Sequence, residues 1–151
     1  MYNVHPYYYN YLTRGQEGTY QEVLQAILKA VQGEAIAIEF YTRLANEAPN
    51  AKHKKAVLHA LEDEKIHLQL FTQLYNTLTG QQPTYQIVPV QYASYKEGLE
   101  RAYEDELEAY EEYRNAFLLT QNQTIRDVFL RAFTDEIEHA MRFGFLQSSL
   151  S

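Results

Sequence analysis

The 151-residue sequence contains no cysteine. Disulfides, thiolate ligands and thiol chemistry are therefore excluded, a reducing cytoplasm is the expected compartment, and any bound metal must be held by nitrogen and oxygen. Positive charge is scarce and dispersed: 13 Lys and Arg stand against 20 Asp and Glu, a net charge of -7. Nucleic-acid binding rests on clustered Lys and Arg that neutralise phosphates, and no such cluster occurs. No stretch approaches the ~20 apolar residues that span a bilayer. The amino terminus, Met1 to Tyr11, is aromatic and polar rather than charged and then apolar. The expectation is a soluble, non-secreted protein with neither nucleic acid nor membrane as partner. Strand signals are nearly absent, only Tyr85 to Val90 being locally β-like.

What is present is helical periodicity. Four long segments carry apolar residues at three-and-four spacing. The first runs from about Thr19 to Glu47, and the second from the N-cap Asn50 to about Thr79, before Gly80. The third runs from about Gln91 to Thr120, and the fourth follows the cap Asn122. One all-α domain over residues 19–151 is expected, preceded by a Tyr-rich tail at 1–18.

The connections set the topology. Ala48-Pro49-Asn50 and Gln121-Asn122 are tight turns, so each joins an antiparallel helical hairpin. Gly80 to about Val90 is longer and contains Pro83 and Pro89, which favour extended chain. At ~3.3 Å per residue it reaches about 36 Å, close to the length of a 25-residue helix. It can cross the whole bundle and start the third helix parallel to the second. The hairpins also repeat in sequence: a shift of 72 positions maps Glu34 onto Glu106, Tyr41 onto Tyr113, Asp63-Glu64 onto Asp135-Glu136, His67 onto His139, and Phe71 onto Phe143. Two copies of one hairpin imply approximate twofold symmetry, with a special site at the axis.

Glu34, Glu64, Glu106 and Glu136 each fall within the apolar stripe of their helix. Four carboxylates in a core demand compensating positive charge, and no Lys or Arg occupies these central positions. Within each hairpin the two glutamates are 30 residues apart and symmetric about the turn. They therefore lie at one height, about 22 Å from the turn. His67 and His139 follow their glutamates by three residues, on the same helical face. Two divalent cations carry four charges to match the four carboxylates, and oxygen-rich ligation with one imidazole per metal suits iron, or manganese in a Mn or mixed Fe/Mn pair. One Glu from each of two helices plus Glu-x-x-His from each of the other two is the pattern of dimetal carboxylate bundles. The competing reading is a buried polar network without metal.

Gly33-Glu34 followed by Tyr41 and Ala45, with the two Asp-Glu-x-x-His motifs, resembles the rubrerythrin-like branch of the ferritin-like superfamily over about residues 20 to 147. The resemblance implies a ferritin-like four-helix bundle of two antiparallel hairpins joined by one long crossover. It implies Glu64 and Glu136 as bridging ligands, Glu34 and Glu106 as terminal ligands, and His67 and His139 on one metal each. The same pattern is similar to bacterioferritin and manganese catalase. Rubrerythrins proper carry a further carboxylate one turn after the third-helix ligand, where this chain has Ala109. They also carry a cysteine-ligated rubredoxin module, which these residues lack, so an external electron donor, another protein or the metal ions themselves, is expected. No fifth helix of the ferritin-cage kind is expected after helix four.

The function implied is an oxidoreductase whose dimetal centre reacts with peroxide or dioxygen. The alternatives are an iron-binding ferroxidase, or a structural coat-type protein with a metal-stabilised bundle. Asp63 and Asp135 either accept the free imidazole N–H of the opposite hairpin or lie on the surface. Tyr41, Tyr110 and Tyr113 either bond ligand carboxylates or pack in the core, the second being preferred. Ala37 and Ala109 either leave open volume over the metals or let helices approach. Glu39, Glu108, Glu111, Glu112 and Glu138 read as solvated, and His5, His53 and His59 are placed outside the ligand set. The tail, with Tyr2, Tyr7, Tyr8, Tyr9 and Tyr11, is expected to pack on the bundle or at a homodimer contact.

Overall fold

The computed structural model describes residues 16–150, with side chains from residue 19 onward, so the expectations for the Tyr-rich tail lie outside the described residues. Among the described residues there are four helices: α1 (Gln16–Asn46), α2 (Ala51–Thr79), α3 (Tyr95–Leu119) and α4 (Gln123–Ser148). No strand forms among the described residues, and Tyr85 to Val90 is irregular chain.

The second helix of each hairpin is started by the same device. Asn50 accepts the His53 backbone N–H at the head of α2, and Asn122, its equivalent under the 72-residue shift, accepts that of Ile125 at the head of α4. Gly80 ends α2 at φ 71°, and its N–H bonds to the Asn76 carbonyl, the left-handed stop that glycine adopts without a Cβ penalty. α1 begins three residues ahead of the expected Thr19.

The third helix corrects the sequence reading. It starts at Tyr95 rather than Gln91, because Ser94 accepts the Glu97 N–H while the Glu97 carboxylate accepts from Ala93 N. That reciprocal pair is a variant of the capping box and fixes the first turn. The crossover is correspondingly longer, Gly80 to Ser94.

Contacts at the two ends of the bundle give its direction. Tyr20, near the start of α1, donates to the Leu78 carbonyl near the end of α2. At the other end of α1, Arg43 donates to the Val90 carbonyl and Tyr92 donates to Glu47. The crossover thus leaves one end of the bundle and arrives at the other. α3 begins beside the start of α2, where Tyr95 lies 3.1 Å from His53 Nδ1, so α2 and α3 run parallel. This is the one-crossover topology of ferritin-like bundles.

The apolar interior is divided in two. One cluster contains Val23, Ile27, Val31, Phe71, Leu74 and Phe129, and the other contains Leu44, Val57, Leu61, Leu99, Phe143 and Leu146. The 72-residue shift exchanges them: Ile27 maps onto Leu99, Val57 onto Phe129, Phe71 onto Phe143, and Leu74 onto Leu146. The twofold axis is therefore perpendicular to the bundle and passes between the clusters. The layer it crosses is polar.

Candidate metal centre

Six polar side chains fill that layer: Glu34 from α1, Glu64 and His67 from α2, Glu106 from α3, and Glu136 and His139 from α4. None is more than 3% exposed. Two overlapping groups form, Glu34–Glu64–His67–Glu136 and Glu64–Glu106–Glu136–His139, each with one ligand atom per residue and all within 4.8 Å of one another. Glu64 and Glu136 belong to both. Each group adds one glutamate and one histidine of its own.

The histidines are turned by partners outside the cluster. His67 Nε2 lies 2.9 Å from Asp135, and His139 Nε2 lies 3.0 Å from Asp63, each pair joining opposite hairpins. Nδ1 of both rings therefore faces the glutamates. His67 Nδ1 is 3.0 Å from Glu64, 3.2 Å from Glu136 and 3.7 Å from Glu34. His139 Nδ1 is 3.0 Å from Glu64, 3.2 Å from Glu136 and 3.6 Å from Glu106.

A ring nitrogen carries at most one hydrogen, so it cannot satisfy three carboxylates. The shortage appears in the shared pair, where Glu64 Oε1 and Glu136 Oε1 are buried without a hydrogen bond. Nitrogen and oxygen donors converging on two points, with acceptors in excess, suit a pair of cations better than a hydrogen-bonded network.

Glu34 and Glu106 have one partner each outside the cluster. Tyr41 donates to Glu106, and Tyr113 donates to Glu34 at 2.6 Å, a pair exchanged by the 72-residue shift. Both tyrosines also pack in the core, Tyr41 against Phe143 and Tyr113 against Phe71. Tyr110 is placed differently: it sits edge-on to Phe133 of α4 at 6.0 Å and beneath Arg114, with no bond to a glutamate.

Electrostatics within the cluster divide the carboxyl groups. Burial, then the charges of Glu64 and Glu136, push Glu34 well above the usual carboxylate range. Glu106 is pushed up by burial and the same two neighbours. Glu64 moves the other way, because hydrogen bonds from His139 and His67 overcome the effect of burial. Burial disfavours charge on the imidazoles too, yet hydrogen bonds to Asp135, Glu136 and Glu64 raise His67, and bonds to Glu106, Glu136 and Glu64 raise His139. Without a cation, protons supply the positive charge that the site requires.

The layer is open on one side. A cavity of about 910 Å³ between α1 and α3 is lined by Glu34, Glu64, Glu106 and Glu136, but by neither histidine. Ala37 and Ala109, equivalent under the repeat, form part of its wall, and Val88 to Val90 of the crossover form another. Lys29 and Arg101, also equivalent, stand at this cavity in ion pairs with Glu112 and Asp105.

One feature escaped sequence reasoning. His59 and Glu138, read as lying apart from any site, come together at 3.5 Å beside Asp63. The available signal was the i, i+4, i+8 series His59, Asp63, His67 on one stripe of α2.

Comparison with known proteins agrees with the fold. The family model described as Rubrerythrin matches residues 26–146. An uncharacterized protein, YhjR, of Bacillus subtilis (strain 168) is 33% identical over 125 residues, 80% of this chain and 83% of its own length. A conserved hypothetical protein, rv2844, of Mycobacterium tuberculosis superposes with a TM-score of 0.77 at 16% identity, covering 88% of this chain and 95% of that one. A ferritin-like, diiron-carboxylate protein of Bacillus anthracis str. Ames superposes with a TM-score of 0.74 at 21% identity, covering 85% and 97%. With a family match across most of its length, a ferritin-like bundle and a dimetal-type donor set, this chain belongs to the rubrerythrin family.

Proposed function

We propose that the protein is a dimetal-carboxylate oxidoreductase, with iron as its metal, that reacts with peroxide or dioxygen. The observation that carries this reading is the pair of overlapping donor sets sharing Glu64 and Glu136, open to the cavity over Ala37 and Ala109. Glu64 and Glu136 would each span both metals, with Glu34 and His67 completing one and Glu106 and His139 the other. When bound, an iron pair supplies two electrons to an oxidant, one from each ion.

The chain's own residues prepare the site for that chemistry. Asp135 and Asp63 hold the imidazoles with Nδ1 inward, since each accepts an N–H from the ring's other nitrogen. Tyr113 and Tyr41 steady the terminal carboxylates, and burial keeps both phenols protonated as donors by raising them well above their usual range. The two apolar clusters close the layer on either side along the bundle axis. Small oxidants therefore enter between α1 and α3. Cytoplasmic location, an external electron donor and assembly as a homodimer belong to the same proposal; among the described residues, no helix is long and apolar enough to cross a membrane.

Anaerobic protein loaded with ferrous iron and mixed with one equivalent of peroxide, or with oxygen, should change its optical spectrum within the mixing experiment. A spectrum that responds to neither oxidant sinks the proposal. The second reading, ferroxidation, is favoured by a cavity lining in which carboxylates outnumber cations, Asp105, Glu108 and Glu112 standing with Lys29 and Arg101 beside the four buried glutamates. Many ferrous ions oxidised per chain with no added donor would select it over peroxidase turnover.

A further inference from the structure

We propose that His59, Asp63 and Glu138 form a separate mononuclear site for a divalent transition-metal cation on the outer face of α2 and α4. Ligand atoms of these three residues and of His139 lie within 4.8 Å of one another. His59 Nε2 is 3.3 Å from Asp63 Oδ2 and 3.5 Å from Glu138 Oε2. Two carboxylates and an imidazole give a mixed oxygen and nitrogen donor set, and the imidazole selects transition metals over magnesium and calcium.

The internal repeat supplies an independent comparison. Shifting by 72 positions carries His59 onto Arg131, Asp63 onto Asp135 and Ile66 onto Glu138. Around Asp135 the counterpart residues are thus a guanidinium, 3.9 Å away, and an isoleucine. Asp135 has a built-in cation and a single carboxylate. Around Asp63 the same scaffold replaces the guanidinium with a metal-ligating nitrogen and the isoleucine with a second carboxylate. The two faces share the aspartate that orients a buried histidine, and they differ in where the guanidinium stands: Arg131 is beside Asp135, whereas on the other face Arg142 pairs with Glu138 Oε1 and leaves Asp63 and His59 to face Glu138 Oε2.

Neighbouring interactions leave the donors usable. Asp63 already serves His139, but a carboxylate offers about four lone-pair positions and can serve a ring N–H and a cation together. Arg142 pairs with Glu138 through Oε1, while Oε2 is the atom nearest His59. His59 and Glu138 are 46% and 42% exposed, so an ion reaches them from solvent without passing through the α1–α3 cavity.

The test uses the full chain and cobalt(II) alone. Crystals soaked in cobalt chloride should show an anomalous peak between His59, Asp63 and Glu138, distinct from any peaks among the six buried residues. In equilibrium dialysis, the double variant His59→Arg/Glu138→Ile, which copies the residues at the counterpart positions, should bind one cobalt fewer per chain. His59→Gln should show the same loss, which keeps the test decisive if the double variant folds poorly. No peak at this position, or equal cobalt binding by wild type and His59→Gln, overturns the site. Peaks at the buried cluster that persist without this one leave the dinuclear reading intact, so the two proposals fail separately.

Discussion

His67 and His139 each have two ring nitrogens but only one that can face the glutamates, and the choice is made by residues on the opposite hairpin. Asp135 receives His67, which by that hydrogen bond holds the Asp135 carboxyl below its usual range even though partial burial opposes it. Removing this acceptor strands a buried N–H and frees the ring to turn. Asp135→Ala is expected to weaken metal binding by about 10- to 100-fold, read as competition against a chelator of known affinity. Unchanged affinity would show that the ring is held by packing alone. The six buried ligand candidates were legible because a carboxylate in an apolar stripe is anomalous, and two in-register Glu-x-x-His motifs make it more so. Tyr110 was not separable from Tyr113 by the same logic. Both lie on the inward side of α3, and only the position of Phe133 on α4 shows which neighbour each one meets.

At the scale of the helix, starts and stops follow local chemistry when a cap is present. Asn50, Gly80 and Asn122 lie at their expected places. The start of α3 was misplaced because Tyr92 continues the apolar spacing backward from Tyr95. In the structure Tyr92 reaches Phe40 from irregular chain, with ring centroids 5.4 Å apart, so its burial says nothing about helix. Ser94 is the residue that decides. Ser94→Ala should cost about 1 kcal/mol, measured by urea unfolding of the metal-free protein, since one orphan N–H of the first turn loses its acceptor. A much smaller loss would mean that the crossover, tied to α1 through Val90 and Tyr92, holds the first turn without the cap.

For the molecule as a whole, the polar layer makes stability depend on pH and on metal together. Glu34 and Glu106 are raised by burial and by their neighbours' charge, and His67 and His139 are raised by their carboxylate partners. A group raised in the folded state binds more protons there than in the unfolded chain, so its contribution is lost as pH rises. The metal-free protein should therefore lose Tm as pH climbs above the ordinary carboxyl value of 4.5, and lose more above the ordinary imidazole value of 6.5. Glu64 is shifted the opposite way, so its contribution is present above the ordinary carboxyl value of 4.5 and is lost progressively as pH falls below it. Ferrous or cobalt ions should restore the lost stability most fully near neutral pH, because they bind the folded layer and replace its protons. The variant Glu34→Gln/Glu106→Gln should flatten the metal-free slope. A metal-free Tm that is level from pH 5 to 8, or rises, would falsify the convergence of these groups on one uncompensated layer.

By itself the sequence determined the helices, the two hairpins, the crossover and the register of four glutamates and two histidines. Each of these is written in spacing along one chain: the period of a helix, the length of a connection, or the 72-residue repeat. Only the tertiary structure decided which nitrogen of each histidine faces inward, which tyrosines reach a carboxylate, and that the layer opens between α1 and α3. It also brought Glu138 of α4 to His59 and Asp63 of α2. These depend on how helices rotate about their axes when packed, and a rotation of a few tens of degrees moves a side chain from solvent to a neighbour without changing its place in the periodic pattern.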